Sequence, residues 1–210
     1  REFGFRPDAL WRYEQQELRL LLRAELAWEC ESGGAYRPLR QELRFGLPQG
    51  EAGAVVCTTG DGEVFYLHGV IDRVDEAVDG GGLRVLDYKS GSTPYSLRDI
   101  LEGRALQAPL YALAAERTLC RKVAESAYLL IPKRELSGRM SLAGSAGEDE
   151  NVRSAIDRAG AFVRAVRAGD FAALPSKPGA GPTACSATCD FASLCRADRR
   201  AIAKARGNAA

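Results

Sequence analysis

Two short apolar segments that each end on an aspartate constrain this chain most. Gly69 to Asp75 reads GVIDRVD, and Leu83 to Gly91 reads LRVLDYKSG, with Gly80-Gly81-Gly82 as the turn between them. Apolar alternation bounded by glycines predicts strands. Side chains two apart on a strand share a face, so Asp87 and Lys89 point one way and Tyr88 the other. Asp72 shares its face with Val70 and Val74. If the two strands pair, Asp72 and Asp87 meet at one end of a sheet.

Neighbouring carboxylates repel, which raises the pKa of one of them. A hard divalent cation such as Mg²⁺ or Mn²⁺ between them removes the conflict and takes oxygen ligands. The backbone carbonyl of Tyr88 is a further candidate ligand. Lys89 would stand beside the ion, able to orient water or neutralise charge on a phosphate. The plain alternative is a surface ion pair, with Asp75, Glu76 and Asp79 as solvated acids, because a lone Asp-x-Lys is common. Context favours the site: both acids end apolar strands, Gly69 opens the first strand, and Ser90-Gly91 turns the chain after Lys89. Gln107 and Tyr111 lie four apart on a predicted helix, hence on one face, and both can hold phosphate oxygens or water.

The chain has 210 residues, 46% of them hydrophobic, enough for a core in one domain. Lys+Arg 29 against Asp+Glu 28 leaves a net charge of +1, which argues against a histone-like basic surface. Arg98, Arg104, Arg121, Lys122, Lys133 and Arg134, with the tail residues Arg196, Arg199, Arg200, Lys204 and Arg206, read mostly as solvated faces. No apolar run reaches membrane-spanning length and no export signal is evident, so a cytoplasmic protein without a membrane is expected. The sole methionine is Met140, and a domain excised from a longer polypeptide is expected.

Periodicity predicts one unit in four parts: an N-terminal helix (1–34), a core (39–131), a polar loop (132–151), and a helix with a cysteine segment (152–210). The helix runs from Asp8 to about Glu31. Strands are expected over Leu39–Leu47, Ala54–Cys57, Val64–Asp75, Leu83–Lys89 and Ala124–Ile131. Thr59-Gly60-Asp61-Gly62 forms a hairpin turn, and Ser96–Cys120 and Val152–Ala168 read as helical. This order predicts an α+β (α/β-like) fold with a central mixed sheet flanked by helices.

GVIDRVD, LDYKSG and LQAPLY, in that order, resemble the nuclease domain of the RecB/AddB family within the PD-(D/E)XK nuclease superfamily. The resemblance covers about Leu39 to Cys195. It implies a restriction-endonuclease-like core and DNA phosphodiester hydrolysis with a divalent metal. It further implies an exonuclease belonging to a helicase–nuclease that processes broken DNA ends, with a helicase domain or subunit as partner. By resemblance Asp72 and Asp87 are metal ligands, Lys89 is the catalytic lysine, and Gln107 and Tyr111 complete the site. Glu42, in QELRFG, resembles a glutamate on a family strand and is a further ligand candidate; a salt bridge to an arginine such as Arg73 competes. Several family members have a histidine on an early helix. The only histidine here is His68, and alternation from Asp72 would carry it to the same face. Rival readings are a catalytically silent module that binds DNA or a partner, and a stand-alone or CRISPR-associated exonuclease of the same superfamily.

Cys185, Cys189 and Cys195 crowd near the C-terminus after a Pro/Gly-rich stretch. Thiolates at such spacing suit iron–sulfur or zinc. The family resemblance implies a 4Fe-4S cluster completed by a distant upstream cysteine, for which Cys30 is the candidate here. The family has two residues between the first pair of the trio, and this chain has three. Cys57 and Cys120 read as small core residues.

Overall fold

The computed structural model describes residues 9–170, apart from positions 33, 51 and 92. The elements are α1 (Ala9–Ser32), β1 (Tyr36–Phe45), β2 (Val55–Thr58), β3 (Val64–Leu67), β4 (Gly69–Ala77), β5 (Leu83–Lys89), α2 (Leu97–Leu101), α3 (Gln107–Leu119), β6 (Val123–Leu130), β7 (Glu135–Ser141) and α4 (Glu150–Arg167). Five strands form one sheet in the order β1-β4-β5-β6-β7, and β2 and β3 form a separate hairpin. Within the sheet only β5 and β6 run parallel. The connection between them is the crossover that parallel strands require, here α2 and α3. The expected mixed sheet flanked by helices is therefore present.

Burial explains the arrangement. Val74, Val85, Leu110, Leu113 and Val123 belong to one core packed between the sheet and α3. Ile100, Ala105, Ala108 and Tyr128 form a second, smaller cluster under α2. On the other face, Leu86, Leu129, Arg73 and Arg84 meet Leu26, Trp28 and Glu29 of α1 around a cavity of about 350 Å³. Asp149 caps α4 by accepting from the N–H groups of Asn151 and Val152.

Four expectations need correction. The stretch 132–151 is not all loop, because it carries β7. Few of its residues are apolar, yet Leu136 and Met140 fall on register with β6. Gly138 adopts a φ of 55° where a Cβ would press on Tyr128. The predicted strand Val64–Asp75 is two strands in two sheets, and His68 is the residue between them. The helical stretch Ser96–Cys120 is broken after Leu101, where Gly103 takes a φ of 74°. Cys120 is not a core residue. It is exposed and ends α3 in the left-handed conformation, whereas Cys57 is buried as expected.

Candidate active site

The site forms where the sheet splits. The ladder between β4 and β5 runs from Glu76↔Leu83 to Arg73↔Leu86 and stops there. β4 continues paired to β1 as far as Gly69, and β5 continues paired to β6 as far as Lys89. One further step of the β4–β5 register puts Asp72 across from Asp87. The Asp72 carboxylate enters the opening, and its Oδ2 accepts the backbone N–H of Tyr88 at 2.8 Å. A side chain thus replaces the missing rung of the ladder.

Asp87 is 2% exposed. Lys89 Nζ lies 2.5 Å from its Oδ2. This close ion pair is the polar contact that the buried oxygen has. Burial pushes the Asp87 carboxyl above its ordinary pKa. The Lys89 ammonium pulls it back, and the nearby Asp72 charge pushes it up again. Two carboxylates side by side, one of them desolvated, fit a small hard cation. Among the described residues, no three His, Cys, Asp or Glu side chains form a ready-made cage. Such an ion would keep much of its water.

Lys89 is held from several sides. Its Nζ donates to Gln107 Oε1 at 2.7 Å. It also stands 5.4 Å from the ring centroid of Tyr128 and 6.0 Å from that of Tyr95, two rings stacked 4.4 Å apart. Gln107 opens α3, whose N-terminal turn has no side-chain cap from Leu106. Tyr128 on β6 supplies one, since its hydroxyl accepts the Ala108 N–H at 3.2 Å. The Ser126 hydroxyl donates to the Ala108 carbonyl at 2.7 Å.

Asp72, Asp87, Lys89 and Gln107 therefore come together. The profile of the PD-(D/E)XK nuclease superfamily matches residues 1–196 of the sequence. The chain belongs to this superfamily. Its sheet, split between two strands beside an Asp-Tyr-Lys sequence, is the restriction-endonuclease-like core of these nucleases. Relatives include a subunit of the ATP-dependent helicase/deoxyribonuclease of Moorella thermoacetica, 40% identical over 130 residues, 59% of this chain and 11% of the relative. The protein of the same name from Pelotomaculum thermopropionicum is 42% identical over 89 residues, 40% of this chain and 8% of the relative. The one from Alkaliphilus metalliredigens is 38% identical over 81 residues, 37% of this chain and 7% of the relative. The chain thus spans about a tenth or less of the length of these relatives.

The other candidates of this nuclease-superfamily chain stand on α3, on β1, between β3 and β4, and on α1. Tyr111 stands edge-on to Phe45, ring centroids 6.3 Å apart, beside Gly69 at the start of β4. Glu42 has a side chain 75% exposed and lies 3.7 Å from Arg44. The pairs Gln41↔Arg73 and Leu43↔Ile71 put its backbone, at a φ of 49°, level with Asp72 on the neighbouring strand, while Arg73 pairs with Asp75 and Glu29. His68 packs toward Gly46, and strand alternation does not carry across the break it occupies. Cys30 is exposed on α1. Cys185, Cys189, Cys195 and the basic tail lie outside the described residues.

Asp75 is not a solvated acid. It is 0% exposed and is gripped by Arg73 Nε at 2.5 Å and Arg84 Nη2 at 2.7 Å. Tyr128 and Ser126 escaped notice in the sequence because they sit inside an apolar strand; a tyrosine and a serine two apart on a buried face are the only signal. Arg98, Arg104 and Arg121 pair with nearby acids. No helix among the described residues is long and apolar enough to cross a membrane.

Proposed function

We propose that this chain hydrolyses DNA phosphodiester bonds with Mg²⁺ or Mn²⁺, acting as an exonuclease within a helicase–nuclease that processes broken ends. The chief support is the buried Asp87 carboxylate, crowded by Asp72 and paired with the ordered ammonium of Lys89. Asp72 and Asp87 would hold the ion, with the Tyr88 carbonyl as a further candidate. The ion would supply charge neutralisation at the phosphate and a more acidic water. Lys89 offers its remaining donor to a phosphate oxygen, where it stabilises charge that grows in the transition state. Gln107 keeps that ammonium from collapsing onto Asp87 alone. The Tyr88 N–H fixes Asp72 before substrate arrives. The relatives, subunits of ATP-dependent helicase/deoxyribonucleases, support a helicase-linked deoxyribonuclease. A 4Fe-4S cluster on Cys185, Cys189 and Cys195 belongs to the same proposal, and iron and acid-labile sulfide analysis checks it.

The test compares labelled linear and circular DNA with and without Mg²⁺ or Mn²⁺. Linear DNA should be degraded only with metal, and circular DNA should survive. Asp87→Ala and Lys89→Ala should stay folded and lose cleavage by roughly 10²–10⁴-fold. Undiminished cleavage by either variant overturns the assignment.

A further inference from the structure

Behind the candidate site, on the opposite face of the sheet, lies a buried ionic network. Arg73 is 6% exposed. Its Nε donates to Asp75 Oδ1 at 2.5 Å, and its Nη1 donates to the Tyr88 hydroxyl at 3.2 Å. Glu29 of α1 pairs with the same Nη1. Arg84 grips the other oxygen of Asp75 through Nε at 3.2 Å and Nη2 at 2.7 Å. Asp75 is thus held between two guanidinium groups, and Arg73 joins it to Glu29 and Tyr88.

Tyr88 connects this network to the site. It is the residue between Asp87 and Lys89. Its N–H holds the Asp72 carboxylate, and its hydroxyl is held by Arg73, the residue after Asp72. The two contacts close a ring: Asp72 to the Tyr88 amide, along the Tyr88 side chain to Arg73, and back along one peptide unit to Asp72. The ring lies where the β4–β5 ladder has stopped, so no further rungs hold the strands in register there. We infer that Arg73 is a positioning residue for the two-carboxylate site, fixing Tyr88 from behind and, through it, the placement of Asp72 against Asp87.

This rests on the metal-dependent function proposed above. A buried ion network is a poor means of cohesion alone, because apolar residues of similar volume hold a core as well or better. What charged hydrogen bonds add is direction. Groups behind metal ligands commonly set affinity in this way, and their loss costs roughly 10–100-fold in metal binding.

The test uses the intact protein and four variants. Tyr88→Phe removes one hydroxyl. Arg73→Met removes the guanidinium, and Arg73→Lys keeps the charge without the fork. Val152→Ala lowers core stability away from the site, since Val152 is fully buried on α4. Mn²⁺ binding without DNA is measured by calorimetry, cleavage rate is followed against Mg²⁺ concentration, and Tm reports folding. Tyr88→Phe and Arg73→Met should weaken Mn²⁺ binding and raise the half-saturating Mg²⁺ roughly tenfold or more. The maximal rate should largely return at high Mg²⁺. Arg73→Lys should fall between, and Val152→Ala should lower Tm alone. Should Arg73→Met fail to fold, Tyr88→Phe decides. Unchanged Mn²⁺ binding and Mg²⁺ requirement in Tyr88→Phe overturn the inference, whatever happens to Tm. In that event the nuclease proposal still stands if wild type needs Mg²⁺ and Asp87→Ala is inactive. Metal-independent cleavage by wild type removes both.

Discussion

Asp87 pays for its position. It is an acid whose folded-state pKa is raised, first by burial and further by Asp72, against the pull of Lys89. Its ionised form therefore costs stability at neutral pH, and the cost is relieved as pH falls through the raised pKa. Asp87→Asn should accordingly raise the Tm of the metal-free protein at neutral pH while abolishing cleavage. Added Mg²⁺ should raise the Tm of wild type and leave that of the variant unmoved. Protons and the cation compete for the same carboxylate. The acidic limb of the pH–rate profile should thus begin above the ordinary aspartate range and move to lower pH as Mg²⁺ is increased; a limb insensitive to Mg²⁺ would contradict this. At this scale Asp72, Asp87, Lys89 and Gln107 were legible, because spacing and alternation place them. Asp75 was not, since a strand pattern cannot tell a solvated acid from one matched by Arg73 on its own strand and Arg84 on the next.

Among the elements, the pairing of α3 with β6 governs where Gln107 stands. The helix begins without a cap of its own, and Tyr128 and Ser126 grip the peptide of Ala108. Tyr128→Phe leaves the buried Ala108 N–H unpaired, which costs about 1–3 kcal/mol. It should also loosen Gln107 and slow cleavage, while Ser137→Ala on β7 should slow it far less. Denaturant unfolding and single-turnover rates measure the two effects separately. β5 and β6 were readable because each carries a short apolar run, Leu83–Leu86 interrupted only by Arg84 and Ala127–Leu130. β7 was not. Its sequence ELSGRMS carries polar residues on the exposed side, and it is an edge strand satisfied by one neighbour. The break between α2 and α3 hinges on Gly103, whose left-handed backbone a helical period does not reveal.

At the scale of the molecule, the β2–β3 hairpin is a separate sheet fastened to α4. Its inner side buries Val55, Cys57 and Phe65. Its turn is fastened by the Gly60 N–H, which donates to Asp157 Oδ1 at 2.8 Å, and by Arg164 to Asp61 at 3.1 Å. Arg167 pairs with Glu63. The contact is close enough that α4 carries a glycine there: a Cβ at Gly160 would overlap Thr59 Cγ2. Gly160→Ala should wedge the two apart and cost about 1–3 kcal/mol despite the better helix propensity of alanine, read as a lowered Tm with little change in cleavage. The polypeptide passes from hairpin to main sheet through His68 alone. Its strand pattern ran on unbroken through this point, so the change of sheet was invisible without the partners of each strand.

The charged rim of this hairpin also makes resistance to opening uneven across the protein. Exposed ion pairs lose strength as electrolyte is added, while the β5–β6 rungs at the centre are shielded from it. In concentrated salt, amide protons of Val55–Thr58 and Val64–Leu67 should exchange with deuterium well before those of Leu83–Lys89. The chain would then open from its flap inward, with the catalytic strands the last to yield.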